Sequence, residues 1–233
     1  MLLLSISTST SFGSICLHDG KVILHEDSWH LEKSHAEVLG PRIQLGLDAI
    51  KQKASDISVV ACDIGPGSFT GVRIGVSTAK AFAYANNIPV IAVDSLRLLA
   101  EPIKEPIQIV SMRDAQRQEV YAAVYKRDSD GIQEVATPQL MSLEQLEKSI
   151  TSPTIVVGDG YEVLKPNLSK TLDKFIVRDS KYLDHPSATV LSGLSLVHLK
   201  LNKTLEWKLL EPLYIRLSAA EEKLVKGELK RHV

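Results

Sequence analysis

The groups able to do chemistry fall into a few short stretches. Hydroxyls crowd Ser7-Thr8-Ser9-Thr10-Ser11, a polar loop after an apolar run. Further on, Asp63-Ile64-Gly65-Pro66-Gly67-Ser68-Phe69-Thr70-Gly71-Val72-Arg73-Ile74-Gly75 passes from an apolar run through a glycine turn into a helix. Backbone N–H groups at such a helix start suit an anion or a close backbone contact. The spacing is not that of a P-loop, because Val72 and Arg73 come after Gly71 where Lys and Ser/Thr are required. Nor is it a dinucleotide loop, because Thr70 stands where a third Gly is needed. A tight packing turn and a ligand loop fit these residues about equally. Arg113-Asp114-Ala115-Gln116-Arg117-Gln118-Glu119-Val120-Tyr121 packs charge around a turn between strands. It reads either as a surface ion-pair cluster, worth little, or as the lining of a cleft.

Other chemistries lack their residues. The histidines are His18, His25, His30, His35, His185, His198 and His232, and none forms a His-Glu-x-x-His zinc pattern. His30 and His35 are one position too far apart, so the histidines read as solvated or capping. Gly67-Ser68-Phe69-Thr70-Gly71 has one residue too few before its Ser for a nucleophile elbow. Cys16 and Cys62 fall in strands and read as buried, reduced thiols.

The bulk numbers narrow the class. A chain of 233 residues allows one large domain or two small ones. A net charge of −1 argues against an electrostatic nucleic-acid or membrane binder acting alone. No run approaches a membrane span, and Met1-Leu2-Leu3-Leu4 is too short for a signal peptide. A cytoplasmic protein is expected.

Strands and helices must position these stretches. Residues 2–7 form a strand, and residues 12–18 and 21–27 a hairpin around Asp19-Gly20. Ser34-His35-Ala36-Glu37 is a capping box, opening a helix that buries Leu39, Ile43, Leu47 and Ile50 and should bend near Pro41. Residues 57–64 form a buried strand, and Ser68 or Thr70 caps a helix to about Asn86. In that helix Gly71, Gly75, Ala79 and Ala83 recur at i, i+4 as one smooth stripe, and only Arg73, Ser77, Lys80 and Tyr84 are polar. Gly inside a helix costs about 1 kcal/mol relative to Ala, so the stripe needs a close neighbour. That neighbour is either the helix's own domain or a second polypeptide.

After Glu101-Pro102-Ile103-Lys104-Glu105-Pro106 the pattern begins again. Strands at 107–112, 119–126 and 132–135, the last two around Asp130-Gly131, precede a helix capped by Ser142-Leu143-Glu144-Gln145. A strand at 154–157 ends in Gly158-Asp159-Gly160, and another lies at 175–177. Ser187 caps a last long helix with Val190, Leu194, Val197 and Leu201 on one face. An extended segment at 207–217 precedes a charged, disordered-type tail. The expected organisation is a first lobe at 1–101, a second at 102–217, helix 187–201 free to pack back on the first, and a tail at 218–233.

Two duplicated mixed-sheet α/β lobes suggest the actin/sugar-kinase-like (ASKHA) fold, an analogy of fold that proves no activity. Kinases of that architecture hold magnesium and phosphate with an Asp at the end of the first strand. This chain has Ser7 there, and a hydroxyl is a poor magnesium ligand beside a carboxylate.

Over nearly its whole length the sequence resembles the TsaB (YeaZ) family of the bacterial tRNA threonylcarbamoyladenosine pathway. The resemblance is carried by Gly65-Pro66-Gly67-Ser68-Phe69-Thr70-Gly71-Val72-Arg73-Ile74-Gly75 with Ala79-Lys80, and by Ser34-His35-Ala36-Glu37-Val38-Leu39-Gly40-Pro41. Asp94-Ser95-Leu96, Arg113-Asp114-Ala115 through Tyr121, Gly158-Asp159-Gly160, and Pro212 through Arg216 with Ala220-Glu221 add to it. The family usually reads Ile-Asp-Thr-Ser-Thr where this chain has Ile6-Ser7-Thr8-Ser9-Thr10.

The resemblance implies a non-catalytic subunit with no cofactor or metal of its own. It would pair with a TsaD-type catalytic subunit, which holds the metal, and be joined by a TsaE-type ATPase. Homodimers through the same surface and contact with tRNA only via the complex are also implied. The implied interface comprises Ala36, Leu39, Gly40, Ile43, Gly71, Arg73, Gly75, Ala79 and Ala83, and Gly75→Leu should abolish pairing while leaving the monomer folded. A vestigial nucleotide cleft would involve Ser7, Thr8, Ser9, Gly65, Gly67 and Arg113. The rivals are a stand-alone kinase or ATPase of this architecture, a metallopeptidase, and a dimeric nucleotide-sensing module.

Overall fold

A computed structural model of the chain describes residues 1–30 and 34–216. Two five-stranded mixed sheets organise it. In the first, β1 (Leu3–Ser7), β2 (Phe12–His18), β3 (Ile23–His30), β4 (Val59–Asp63) and β5 (Val90–Val93) stand in the order β3-β2-β1-β4-β5. In the second, β6 (Gln108–Asp114), β7 (Val120–Asp128), β8 (Gly131–Met141), β9 (Thr154–Val157) and β10 (Ile176–Val177) stand as β10-β9-β6-β7-β8. Read from the opposite edge, the second order repeats the first. Each lobe pairs its first three strands antiparallel and adds the last two in parallel. This duplicated α/β arrangement is the ASKHA fold.

The central strands β1 and β4 are buried along their whole length and mostly apolar, because helices cover both faces of the sheet. On one face of the first sheet Leu4, Ile6, Ile15 and Leu17 pack with α1 (Leu39–Ala49) and α2 (Phe69–Asn86). On the other face Leu3, Val59, Ala61 and Ile91 pack with Leu191 and Leu194 of α7 (Ala188–Lys200). So α7, which follows all the strands of the second lobe in the chain, covers the first lobe. Between the sheets lies α3 (Ser95–Ala100). It turns Leu98 to the first sheet and Leu96, Leu99 and Ala100 to the second. The second sheet's other face packs on α4 (Leu143–Ser149), α5 (Gly160–Leu164) and α6 (Lys170–Asp173) through Leu146, Leu164 and Leu172.

Several sequence expectations change here. The hairpin strand β3 runs on to His30, and β8 reaches Met141, well past 135. Ser34 caps only a 3₁₀ turn at His35–Glu37, accepting from Ala36 N–H at 3.1 Å, and α1 begins at Leu39. Pro41 therefore lies in the first turn of α1, where a missing N–H costs nothing, and it breaks no helix interior. α7 buries Leu191, Ser192, Leu194 and Ser195, while Val197 and Leu201 are exposed, so its buried face is turned from the expected one. Its mostly apolar sequence left the choice of face to its neighbours. The short helices α5 and α6 carry too little periodicity to be read in advance. The tail at 218–233, Leu217 and the Ala220-Glu221 match lie outside the described residues.

Candidate functional site

The two glycine turns bring the strand ends of each lobe to one interlobe cleft. In the first lobe β4 ends at Asp63 and Ser68 caps α2, accepting from Gly71 N–H at 3.2 Å. Asp63 is 1% exposed and its carboxylate is enclosed by hydroxyls. Ser7 and Ser9 donate to Oδ2 at 2.8 and 2.6 Å, Ser95 donates to Oδ1 at 2.6 Å, and Gly65 N–H donates to Oδ1 at 3.0 Å. A buried carboxylate is tolerable when its lone pairs are met in this way. Close by, Asp94 caps α3 by accepting from Arg97 N–H at 2.8 Å. Burial pushes its carboxyl up to about 6 against that hydrogen bond, and the charges of Asp63 and Glu134 add to the rise.

In the second lobe Arg113 stands near the end of β6, the counterpart of β1. It is 4% exposed and its Nε donates to Asp159 Oδ1 at 2.8 Å. Asp159, with 46% of its side chain exposed, also accepts from Asp114 N–H at 3.1 Å. Residues 213–216 strap the two lobes together. Leu213 N–H donates to Ile64 O at 2.8 Å, and Arg73 Nε donates to Tyr214 Oη at 2.7 Å with its guanidinium 3.8 Å from the Phe69 ring. Arg216 donates to Ala115 O at 2.6 Å and pairs with Glu119. The cleft between these elements has a volume of roughly 840 Å³ and is lined by both lobes and the strap.

The expected cleft residues divide accordingly. Ser9, Gly67 and Arg113 line the cleft. Ser7, Thr8 and Gly65 are buried beneath it: Ser7 on Asp63, and Thr8 donating to Gly71 O at 2.8 Å. Of the stretch Arg113 to Tyr121, residues 113–117 and Tyr121 line the cleft, while Arg113 and Glu119 also form ion pairs with Asp159 and Arg216.

The expected interface needs correction at its centre. Gly71, Gly75, Ala79 and Ala83 are buried against the chain's own first sheet. A Cβ at Gly71 would meet the Thr8 carbonyl oxygen, and one at Gly75 would lie 2.6 Å from Thr8 Oγ1. The stripe is smooth so that α2 can press on the residues after β1. Gly75→Leu would therefore disrupt the lobe itself and is no probe of pairing. Leu39 and Ile43 are likewise buried in the first core.

Ala36, Gly40 and Arg73 are exposed, and they border a groove of roughly 580 Å³ between α1 and α2. Leu39, Ile74, Ser77 and Thr78 complete that groove. A Cβ added at Gly40 meets nothing within 4 Å. Phe69, Thr70 and Arg73 border both the groove and the cleft.

His35, expected from the sequence to be solvated or capping, is buried. Its Nδ1 accepts from Trp29 Nε1 at 3.0 Å and its Nε2 contacts Thr10 O at 2.6 Å, which assigns the Nε2–H tautomer. It thereby anchors the hydroxyl loop from behind. Asp63, Asp159 and the strap escaped the sequence reading as site residues. The position of each Asp beside a glycine turn at a strand end was the available sign. No group of three or more His, Cys, Asp or Glu side chains among the described residues could hold a metal ion.

Comparisons with known proteins bear on the family and the fold. Residues 30–224 match the family model described as TsaD: tRNA N6-adenosine threonylcarbamoyltransferase. The tRNA threonylcarbamoyladenosine biosynthesis protein TsaB of Escherichia coli is 30% identical, with 96% of this chain and 98% of the relative aligned. The chain belongs to the TsaB (YeaZ) family. TsaB of Bacillus subtilis is 29% identical over 98% of this chain and 100% of the relative. YeaZ from Pseudomonas aeruginosa, a solved structure, superposes with a TM-score of 0.77 at 24% identity, covering 91% of this chain and 99% of that one, and so has the fold of this chain.

Proposed function

We propose that this chain is the non-catalytic TsaB-type subunit of a tRNA threonylcarbamoyladenosine-forming complex and acts in the cytoplasm. The observation that carries this reading is the open groove between α1 and α2. Its walls are small or apolar (Ala36, Gly40, Ile74, Ser77, Thr78), with Arg73 at one end. A surface of small side chains lets another helix approach closely, and the charge of Arg73 gives register. The occupant would be a TsaD-type catalytic subunit. A TsaE-type ATPase would join the pair, and tRNA would be reached through the complex. The same groove would serve a homodimer when the catalytic subunit is absent.

Asp63 supports the non-catalytic role. Each of its oxygens already accepts two hydrogen bonds from the protein, so a cation would have to displace them. No helix among the described residues is long and apolar enough to cross a membrane.

The test is light scattering after size exclusion of the full chain mixed with the TsaD-type subunit from the same source. A one-to-one complex is expected. Gly40→Trp should weaken it at least about tenfold while the melting temperature of the free chain stays unchanged. A complex indifferent to Gly40→Trp would refute the groove. Absence of a complex, with ATP hydrolysis by the chain alone, would refute the scaffold role in favour of a kinase-like enzyme.

A further inference from the structure

The strap crosses from the first lobe to the second on few holds. It leaves the first core at Leu210, which is fully buried. At the other end Arg216 donates to Ala115 O and pairs with Glu119 of the second lobe. Between these anchors residues 211–216 form neither helix nor strand. Their hold on the first lobe is the Leu213 N–H, which donates to Ile64 O at 2.8 Å, and the seat of Tyr214 on α2.

That seat is a small exposed cluster. Arg73 Nε donates to Tyr214 Oη at 2.7 Å, and the guanidinium lies 3.8 Å from the Phe69 ring and 5.7 Å from the Tyr214 ring. The two rings are 5.2 Å apart. Arg73, Phe69 and Tyr214 are all exposed. Water competes for a cation on an exposed ring, and the same contact holds several-fold more tightly once water is excluded. A segment tied by exposed contacts also opens locally far more often than its lobes unfold.

Arg73 and Phe69 belong to two surfaces at once. Both line the cleft together with Leu213 and Tyr214, and both border the groove between α1 and α2, which Tyr214 does not. The cation of the groove is therefore also the strap's hold. A guanidinium is a fork of several N–H donors, so an occupant of the groove can take its outer edge while Nε keeps Tyr214.

We propose that the strap is a latch, which the catalytic subunit seated in the groove locks shut through Arg73 and Phe69. Seating excludes water from these two side chains. Their contacts with Tyr214 then strengthen where they stand, and opening of residues 211–216 becomes rarer. The equilibrium shifts because only the closed strap offers Tyr214 to the dried pair. Occupation of the groove thus stiffens one wall of the cleft with no contact between the partner and the strap. This inference rests on the groove reading above.

The test is hydrogen–deuterium exchange at the Leu213 amide, in the free full chain and at saturating TsaD-type subunit from the same source. In the free chain Tyr214→Ala should speed this exchange at least about fivefold, and Tyr214→Phe, which keeps the ring, should speed it less. In the wild-type complex the exchange should slow at least about fivefold relative to the free chain. That slowing should vanish in Tyr214→Ala and survive in part in Tyr214→Phe. Position 214 lies outside the groove, so both variants should still form the one-to-one complex. A wild-type complex with unchanged Leu213 exchange overturns the latch and leaves the groove standing. Full slowing in the Tyr214→Ala complex overturns it as well, because the partner then covers the strap directly. Loss of the complex in Tyr214→Ala alone would make Tyr214 part of the docking surface, and unchanged exchange in the free variant would show that Tyr214 holds nothing; either overturns it. Absence of a complex with the wild-type chain refutes the groove and the latch together.

Discussion

The two lobes share one strand order but finish their central strands in opposite ways. In the first, the end of β1 gives hydroxyls, and Ser7 and Ser9 close over Asp63 with Ser95. In the second, the end of β6 gives Arg113, which reaches a half-exposed Asp159 and keeps a nitrogen unpaired. Both glycine turns press on the strand end beside them: Gly71 on the Thr8 carbonyl, Gly158 on the Met112 carbonyl. The lobes differ in the helix after each turn. After β4 comes the 18-residue α2, which seals its lobe and offers an outer face. After β9 comes the five-residue α5, and Asp159 just before it lines the cleft. The same scaffold thus makes a closed polar cluster in one lobe and an open charged one in the other.

The largest effect expected from breaking this contrast is at Gly71. Gly71→Val should destabilise the first lobe by about 3 kcal/mol or more, read by chemical denaturation, because the new side chain meets backbone that cannot move aside. A wild-type midpoint would show that α2 does not press on Thr8. Next comes the pair Asp63→Asn and Asp159→Asn. The first turns two acceptor sites into donors facing the Ser7 and Ser9 hydroxyls, and should cost about 2–3 kcal/mol. The second acts on a half-exposed group and should cost less than about 1 kcal/mol. Equal costs would erase the distinction between a closed and an open cluster.

The smallest effect concerns pH. The folded Asp94 carboxyl, at about 6, holds its proton more tightly than it does in the unfolded chain. Its contribution is therefore fully favourable below pH ~4, and declines as pH rises from about 4 to about 6. Asp94→Asn keeps an oxygen to accept from Arg97 N–H and removes this dependence. The variant should gain about 1–2 kcal/mol over wild type between pH 4 and pH 7, measured by urea midpoints across that range. Parallel curves would place Asp94 in water.

Much of the chain was legible from local signs. The Asp-Gly turns, the caps at Ser68, Ser142 and Ser187, the apolar run through Val59 and Val60, and the repeat after Pro106 depend on neighbours within a few residues. Periodicity and capping report that scale. The family resemblance likewise rested on contiguous residues, and the curated relatives bear it out.

Tertiary structure decided what each face meets. The stripe Gly71, Gly75, Ala79 and Ala83 announced a close neighbour, but a small residue accommodates its own sheet and a foreign helix equally well. Only the placement of Thr8 under α2 settled that it is the chain's own, and so moved the open surface to Gly40, Ser77 and Thr78. Asp63 and Ser95 are 32 residues apart, and Arg113 and Asp159 are 46 apart. Whether such groups meet depends on parallel strand pairings closed by long crossovers, which no window of sequence encodes. The sequence determined the elements and their family. The packing of α2 and the two strand ends determined which side chains are sealed inside and which face the cleft.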